Sequence, residues 1–287
     1  MSQELHPVPA PISKGARIGG GSTLAMGVLN ITPDSFSDGG RWFDVEAAVA
    51  HALLMAEQGA SIIDVGGEST RPGASRVTPE QEWARIAKVV DTLVQEGLTV
   101  SVDTVNSQTA RNAAEVGVSI INDVSGGVHD PDMARVCAES GLAMVVQHWR
   151  GFPSDPSLNQ NYADPVSEVV SELESQVERV LAQGLPSSSI ILDPGLGFAL
   201  STEDSWKIVE SLDAFTDLGY PVLVGASRKR FVKERYGTNL LMGTLDVTKA
   251  SVEAGAWGVR VHDVAENVDL IRDLESRRAN SWGRRKA

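Results

Sequence analysis

Residues 24–40 read LAMGVLNITPDSFSDGG, and their two halves decide the fold. The first six are apolar and bounded by turn formers, which predicts a buried strand. From Asn30 the chain turns polar, passes Pro33 and Asp34, and closes on Asp38-Gly39-Gly40. That loop is too long for a tight turn. It carries Asn30, Thr32, Asp34, Ser35, Ser37 and Asp38 with one aromatic, Phe36. Parallel α/β proteins build active sites from such loops at the C-terminal ends of their strands.

The same unit recurs to the end of the chain. Further strands are predicted at 61–65, 98–102, 118–121, 142–147, 189–192, 221–224 and 256–261, each an apolar run. Helices alternate with them. One starts at the N-cap Asp44 and stops at Gly59. A second has Thr78 as N-cap, Pro79 in the first turn and Gln81 closing a capping box. Asp130-Pro131 and Asp164-Pro165 start others by the same rule, and a helical region breaks near Gly237. Eight strand-then-helix units predict a closed α/β barrel, the (β/α)8 TIM fold. An open doubly wound sheet is the alternative, but no GxGxxG turn follows the first strand. Residues 1–23, rich in Pro, Gly and Ser, are expected to be a flexible lead-in, 24–276 the barrel, and 277–287 a basic, polar, solvated tail.

The chain has 287 residues, 42% hydrophobic and 22% charged, with a net charge of -13. The acidic balance argues against nucleic acid as a partner. No apolar run nears the ~20 residues of a membrane span, and no signal-peptide core is present. The single cysteine, Cys137, rules out an intrachain disulfide and reads as a core thiol. A cytoplasmic enzyme is expected.

The strand ends present Asn30, Asp64, Asp103, Asn122, His148, Asp193, Lys229, Arg260 and His262. Asp64 or Asp123 alone would read as a helix cap. A whole set in phase, after apolar strands, reads as a polar pocket at one rim. Asp103, Asn122 and Asp193 are acceptors suited to a heterocycle with adjacent N–H donors. Lys229 suits a ring carbonyl or nitrogen, and Arg260 suits stacking on the ring. Asn30, Thr70, Arg71 and His262 suit phosphate oxygens or a metal carrying them. A bare metal held by the carboxylates is the weaker reading, since no His-x-His or Cys pair has zinc spacing.

The segments MGVLNITPDSFSDGG, DVGGESTRPGA, SVDT, INDVSGG, LDPGLGF, VGASRKRF and RVHDV follow in order from Met26 to Val264. By these the chain closely resembles the dihydropteroate synthases. The resemblance implies joining of 6-hydroxymethyl-7,8-dihydropterin diphosphate to p-aminobenzoate, with release of diphosphate, in folate biosynthesis. It implies that Asp103, Asn122, Asp193 and Lys229 bind the pterin, with Arg260 stacked on it. Asn30 would contact Mg2+ and the diphosphate. Thr70, Arg71, Arg260 and His262 would contact substrate and its phosphates. Phe36, Asp38, Arg71 and Pro72, with Lys229, would form the p-aminobenzoate pocket, where sulfonamides compete. Asp38, Lys229, Arg260 and His262 are the expected catalytic groups, and a homodimer is the expected assembly. The chain departs from the usual pattern at Arg230, where many relatives have Ser, and at Gln147, where Met is usual. A corrinoid methyltransferase would share the pterin acceptors but has no use for NITPDSFSDGG or the SRK segment. A paralogue that had lost catalysis would show damage at Asn30, Asp38, Lys229 or His262, and all four are intact.

Overall fold

Alternation of side chains along eight short strands sets the architecture. The computed structural model describes residues 22–31, 41–68, 76–152, 155 and 157–284, excepting the side chains at 41–44 and 279–284. The strands are β1 (Leu24–Asn30), β2 (Ile62–Gly66), β3 (Val100–Asp103), β4 (Ile120–Asp123), β5 (Ala143–Gln147), β6 (Ile190–Asp193), β7 (Leu223–Gly225) and β8 (Gly258–Val261). All pair in parallel, in the order β6-β5-β4-β3-β2-β1-β8-β7. A parallel bridge between Leu192 and Val222 joins the two outer strands and closes the barrel. The expected (β/α)8 architecture is therefore present, and the open sheet is excluded.

Because side chains alternate, each strand divides its residues between two cores. Met26, Ile62, Ile120, Val145, Ile191, Leu223 and Trp257 fill the barrel interior as one apolar cluster. The outward residues, such as Leu29, Val65, Val102, Ile121, Val146, Leu192, Val224 and Val261, pack under the helices. Two positions beyond Ile62, Ile120, Val145 and Ile191 the inward residues are Asp64, Asn122, Gln147 and Asp193. The same step from Ser101 and Gly258 reaches Asp103 and Arg260. The apolar plug thus becomes the floor of a polar mouth.

The helices are α1 (Arg41–Glu57), α2 (Pro79–Gln95), α3 (Ser107–Glu115), α4 (Met133–Ser140), α5 (Pro165–Ala182), α6 (Thr202–Val209), α7 (Asp213–Thr216), α8 (Arg230–Tyr236), α9 (Leu240–Ala254) and α10 (Val264–Arg284). The capping box of α2 forms as read: Thr78 Oγ1 accepts from Gln81 N at 3.3 Å, and Gln81 Oε1 from Thr78 N at 3.2 Å. Asp164 caps α5 ahead of Pro165.

Four boundaries differ from the sequence reading. Helix α1 begins at Arg41 rather than Asp44. Helix α4 begins at Met133, because the Asp130 carboxylate is engaged elsewhere. Its Oδ2 accepts from Ser107 N at 2.8 Å, at the start of α3, while Oδ1 accepts from Asp132 N. The polar segment from 277 is helical through Arg284, not a loose tail. Arg277 pairs with Asp273 one turn back, and Arg278 donates to the carbonyls of Val252 and Glu253 at the end of α9. Those contacts satisfy carbonyls that a helix C-terminus leaves open. At the other end, Thr23 belongs to the folded body, with its N–H on Glu275 Oε1 at 2.7 Å and its hydroxyl on Ala256 O at 3.0 Å.

Candidate active site at the barrel mouth

Arg260, inward on β8, sits between two carboxylates. Its Nε donates to Asp64 Oδ2 at 2.6 Å and its Nη2 to Asp103 Oδ2 at 2.7 Å. Asn122 Nδ2 donates to the same Asp64 oxygen at 3.0 Å, leaving its carbonyl oxygen free for another donor. Burial raises the pKa of Asp103 to about 7 despite the Arg260 charge, with Asp64 adding repulsion. For Arg260 burial works against the charged form, but the Asp64 and Asp103 charges outweigh it and the pKa is raised. Two edges of the guanidinium are held, so the orientation of its plane is fixed.

Across the mouth, Asp193 ends β6. Its Oδ1 accepts from Gly195 N at 2.7 Å. Burial raises its pKa, opposed by Lys229. Lys229 Nζ donates to Leu196 O at 2.7 Å and lies 4.6 Å from the centre of the Phe198 ring. Burial lowers the lysine to about 8, with Asp193 pulling the other way. The glycines of the DPGLGF segment make this approach possible. A Cβ on Gly197, at φ +72°, would stand 3.2 Å from Lys229 Cδ.

Gly225 supplies the open space. A Cβ there would lie 3.7 Å from Lys229 Nζ and 3.8 Å from both Arg260 Cβ and Asp193 Oδ2. The missing side chain leaves a gap bounded by an anion and two cations. Gly66 does the same on the facing side, where a Cβ would be 3.5 Å from Asn30 Oδ1 and 3.8 Å from Asp103 Oδ2.

The SRK segment reaches this rim through one unusual backbone. Arg228 has φ 61°, the single non-glycine with positive φ among the described residues. Its guanidinium is held by Asp263 at 3.0 Å. Such a conformation costs of order 1 kcal/mol or more and needs surrounding support. The turn places Ser227 Oγ 3.0 Å from His262 Nδ1, fixing the imidazole beside the pocket.

The structure therefore gathers Asn30, Asp103, Asn122, Asp193, Lys229, Arg260 and His262 at one rim. Phe36, Asp38, Thr70, Arg71 and Pro72 lie outside the described residues. His148 is a correction, since its ring belongs to the outer layer, in phase with Met144 and Val146. It is fully buried there, with Nε2 2.8 Å from Glu172 of α5. Asp123 is not the cap of the following helix, which begins only at Met133: it accepts from Ser125 N at 2.7 Å and Gly127 N at 2.9 Å, turning the loop after β4. Three contributors were not among the site residues read from sequence. Asp64 and Gln147 were knowable from the two-residue phase, as polar residues in step with apolar interior ones. Ser227 carries no such signal.

With this geometry in view, the similarity to known proteins is specific. A family model described as pterin binding enzyme matches residues 26–262. The dihydropteroate synthase of Mycobacterium leprae is 44% identical over 257 residues, 86% of this chain and 90% of that protein. The chain belongs to the pterin-binding enzymes, in the dihydropteroate synthase family. Among solved structures, the Xanthomonas albilineans dihydropteroate synthase with 4-aminobenzoic acid superposes with a TM-score of 0.83 at 38% identity, covering 90% of this chain and 94% of that one. The same enzyme in complex with 7,8-dihydropteroate superposes at 0.80 with 34% identity over the same shares. The pterin-binding assignment accounts for acceptors ringed above an apolar floor.

Proposed function

We propose that this chain condenses 6-hydroxymethyl-7,8-dihydropterin diphosphate with p-aminobenzoate, giving 7,8-dihydropteroate and diphosphate. The observation that carries this reading is the pocket around Gly225, with Asp193 and Lys229 on one side and Arg260 on another. A pterin edge carries N–H donors for Asp193 and Asn122 and a carbonyl for Lys229. Arg260, held by Asp64 and Asp103, presents its flat face to the ring. The ring would rest above the apolar cluster of Val145, Ile191 and Leu223.

Departure of diphosphate leaves positive charge at the pterin methylene, delocalised into the ring. The neighbouring carboxylates favour that charge electrostatically. The aniline nitrogen then attacks the methylene and loses one proton as the product forms, and no protein nucleophile is required. Cys137, the one thiol, is fully buried in the outer core and unsuited to the task. His262 and Arg260 would face the departing phosphates. From the sequence, Asp38 would add stabilisation of the cation, while Phe36, Arg71 and Pro72 would enclose the aniline and Thr70 would meet the substrate.

Mg2+ suits this donor set. Among the described residues no cluster of His, Cys, Asp and Glu could hold a metal alone. Mg2+ commonly keeps several waters and binds through few protein oxygens plus substrate phosphates. Asn30 Oδ1 is such an oxygen at the rim. When bound, the ion would neutralise charge on the leaving diphosphate.

The wider expectations follow from this reading. Sulfonamides, as p-aminobenzoate mimics, would compete for the second substrate site. A homodimer through the last helices agrees with Met242, exposed at the start of α9. Among the described residues no helix is long and apolar enough to cross a membrane, and a cytoplasmic setting agrees with the reduced Cys137. Purified protein with Mg2+ and both substrates should yield dihydropteroate by mass spectrometry. Its absence would overturn the assignment.

A further inference from the structure

Gln147 is the one inward polar residue at a strand end that the reading above leaves unused. It is 2% exposed. On β5 it continues the interior phase of Val145, and in the sheet it pairs with Asp193 of β6. Its backbone carbonyl is fixed by Gln176 Nε2 of α5 at 2.8 Å. Its side chain is fixed as well, because Nε2 donates to Val124 O at 3.1 Å. That contact sets which way round the amide lies, since an amide oxygen facing a carbonyl oxygen would be repelled. Oε1 is the remaining polar atom, and it has no hydrogen-bond partner among the described residues. With Nε2 taken by Val124, that oxygen is the atom of the side chain left to accept from a ligand.

The order of strands says which donor. Consecutive strands β4, β5 and β6 carry Asn122, Gln147 and Asp193. Asn122 has spent its amide nitrogen on Asp64, and Asp193 is an acceptor already. The wall therefore presents three acceptor groups in a row, with Gln147 between the other two. A pterin edge sets its exocyclic amine beside the ring N3–H, and these adjacent donors suit the neighbouring acceptors Gln147 and Asp193. A methionine or other apolar residue at this position would offer no comparable acceptor.

We propose that Gln147 Oε1 accepts a hydrogen bond from the exocyclic amine of the bound pterin, making Gln147 a specificity residue for 2-amino over 2-oxo ring systems. This rests on the pterin-binding function proposed above. The test compares binding of the dihydropterin diphosphate and of its 2-oxo analogue, without p-aminobenzoate, by calorimetry on wild-type protein and on Gln147→Met and Gln147→Leu. The wild type should prefer the amine, and both variants should lose about three- to tenfold of that preference, the range one neutral hydrogen bond supplies. A preference unchanged in either folded variant would overturn the proposal. Should neither variant fold, a crystal structure of the wild-type pterin complex decides. The amine nitrogen within ordinary hydrogen-bonding distance of Oε1, about 3 Å, supports the proposal, and an amine beyond that reach overturns it. A wild type that binds neither ligand would instead refute the pterin-binding function.

Discussion

Arg260 Nε and Asp64 Oδ2 stand 2.6 Å apart, although 196 positions of sequence separate the two residues. The pair closes the barrel mouth from strands on either side of β1. Asp64 has no exposure, and it also holds Asn122. Removing one member of such a buried pair leaves an uncompensated charge and typically costs roughly 3–5 kcal/mol. Asp64→Ala should therefore lower the melting temperature markedly and weaken pterin binding, since Arg260 and Asn122 lose their common anchor. A variant with wild-type melting and affinity would remove Asp64 from the site.

Gly225→Ala separates pocket volume from stability. The added Cβ would meet its neighbours at 3.7–3.8 Å, an ordinary contact, so the barrel should tolerate it. The methyl would occupy space assigned to the ring, at a cost of about 1–3 kcal/mol in affinity. Calorimetry alongside thermal melting checks this. Unchanged pterin affinity would place the ring elsewhere.

Lys229 predicts a pH dependence. Its pKa is lowered to about 8 by burial, so in the free enzyme the ammonium is lost as pH rises through 8. Pterin affinity should fall between pH 7 and pH 9. In Lys229→Arg the fall should be much reduced, because a guanidinium stays charged there. Equal slopes in the two proteins would argue that Lys229 does not donate to the ring.

Asp103 predicts a slope in stability. Its pKa is raised from 3.8 to about 7 on folding, chiefly by burial. A group raised in this way contributes stability at low pH that is lost as pH rises, here from about 4 to about 7. Asp103→Asn removes that loss. The melting temperature of the variant, minus that of wild type, should therefore grow from pH 5 to pH 8, whatever constant offset the lost Arg260 contact adds. A difference that shrinks over this range would reverse the sign.

The barrel was legible because its signals are local. Apolar strands, the Thr78–Gln81 box and the Asp164-Pro165 start depend on neighbours within a few residues. The pocket acceptors were legible for the same reason, as polar residues closing apolar runs. His148 closes the apolar run of β5 by position but falls on its outer face by phase. Counting two residues from Val145 puts Gln147 inside and His148 outside. Asp64 looked like a cap because its partners Asn122 and Arg260 are distant in sequence. The extension of α10 to Arg284 depends on Arg278 reaching α9, a contact that composition does not announce.

The most direct measurement is diphosphate release followed with and without p-aminobenzoate, in wild type and Asp193→Ala. The account predicts that wild type with Mg2+ releases one diphosphate for each dihydropteroate formed. Asp193→Ala should lose pterin affinity by roughly 2–5 kcal/mol, as for one partner removed from a buried charged pair. Diphosphate release that ignores p-aminobenzoate, or an Asp193→Ala protein that binds pterin as wild type does, would contradict it.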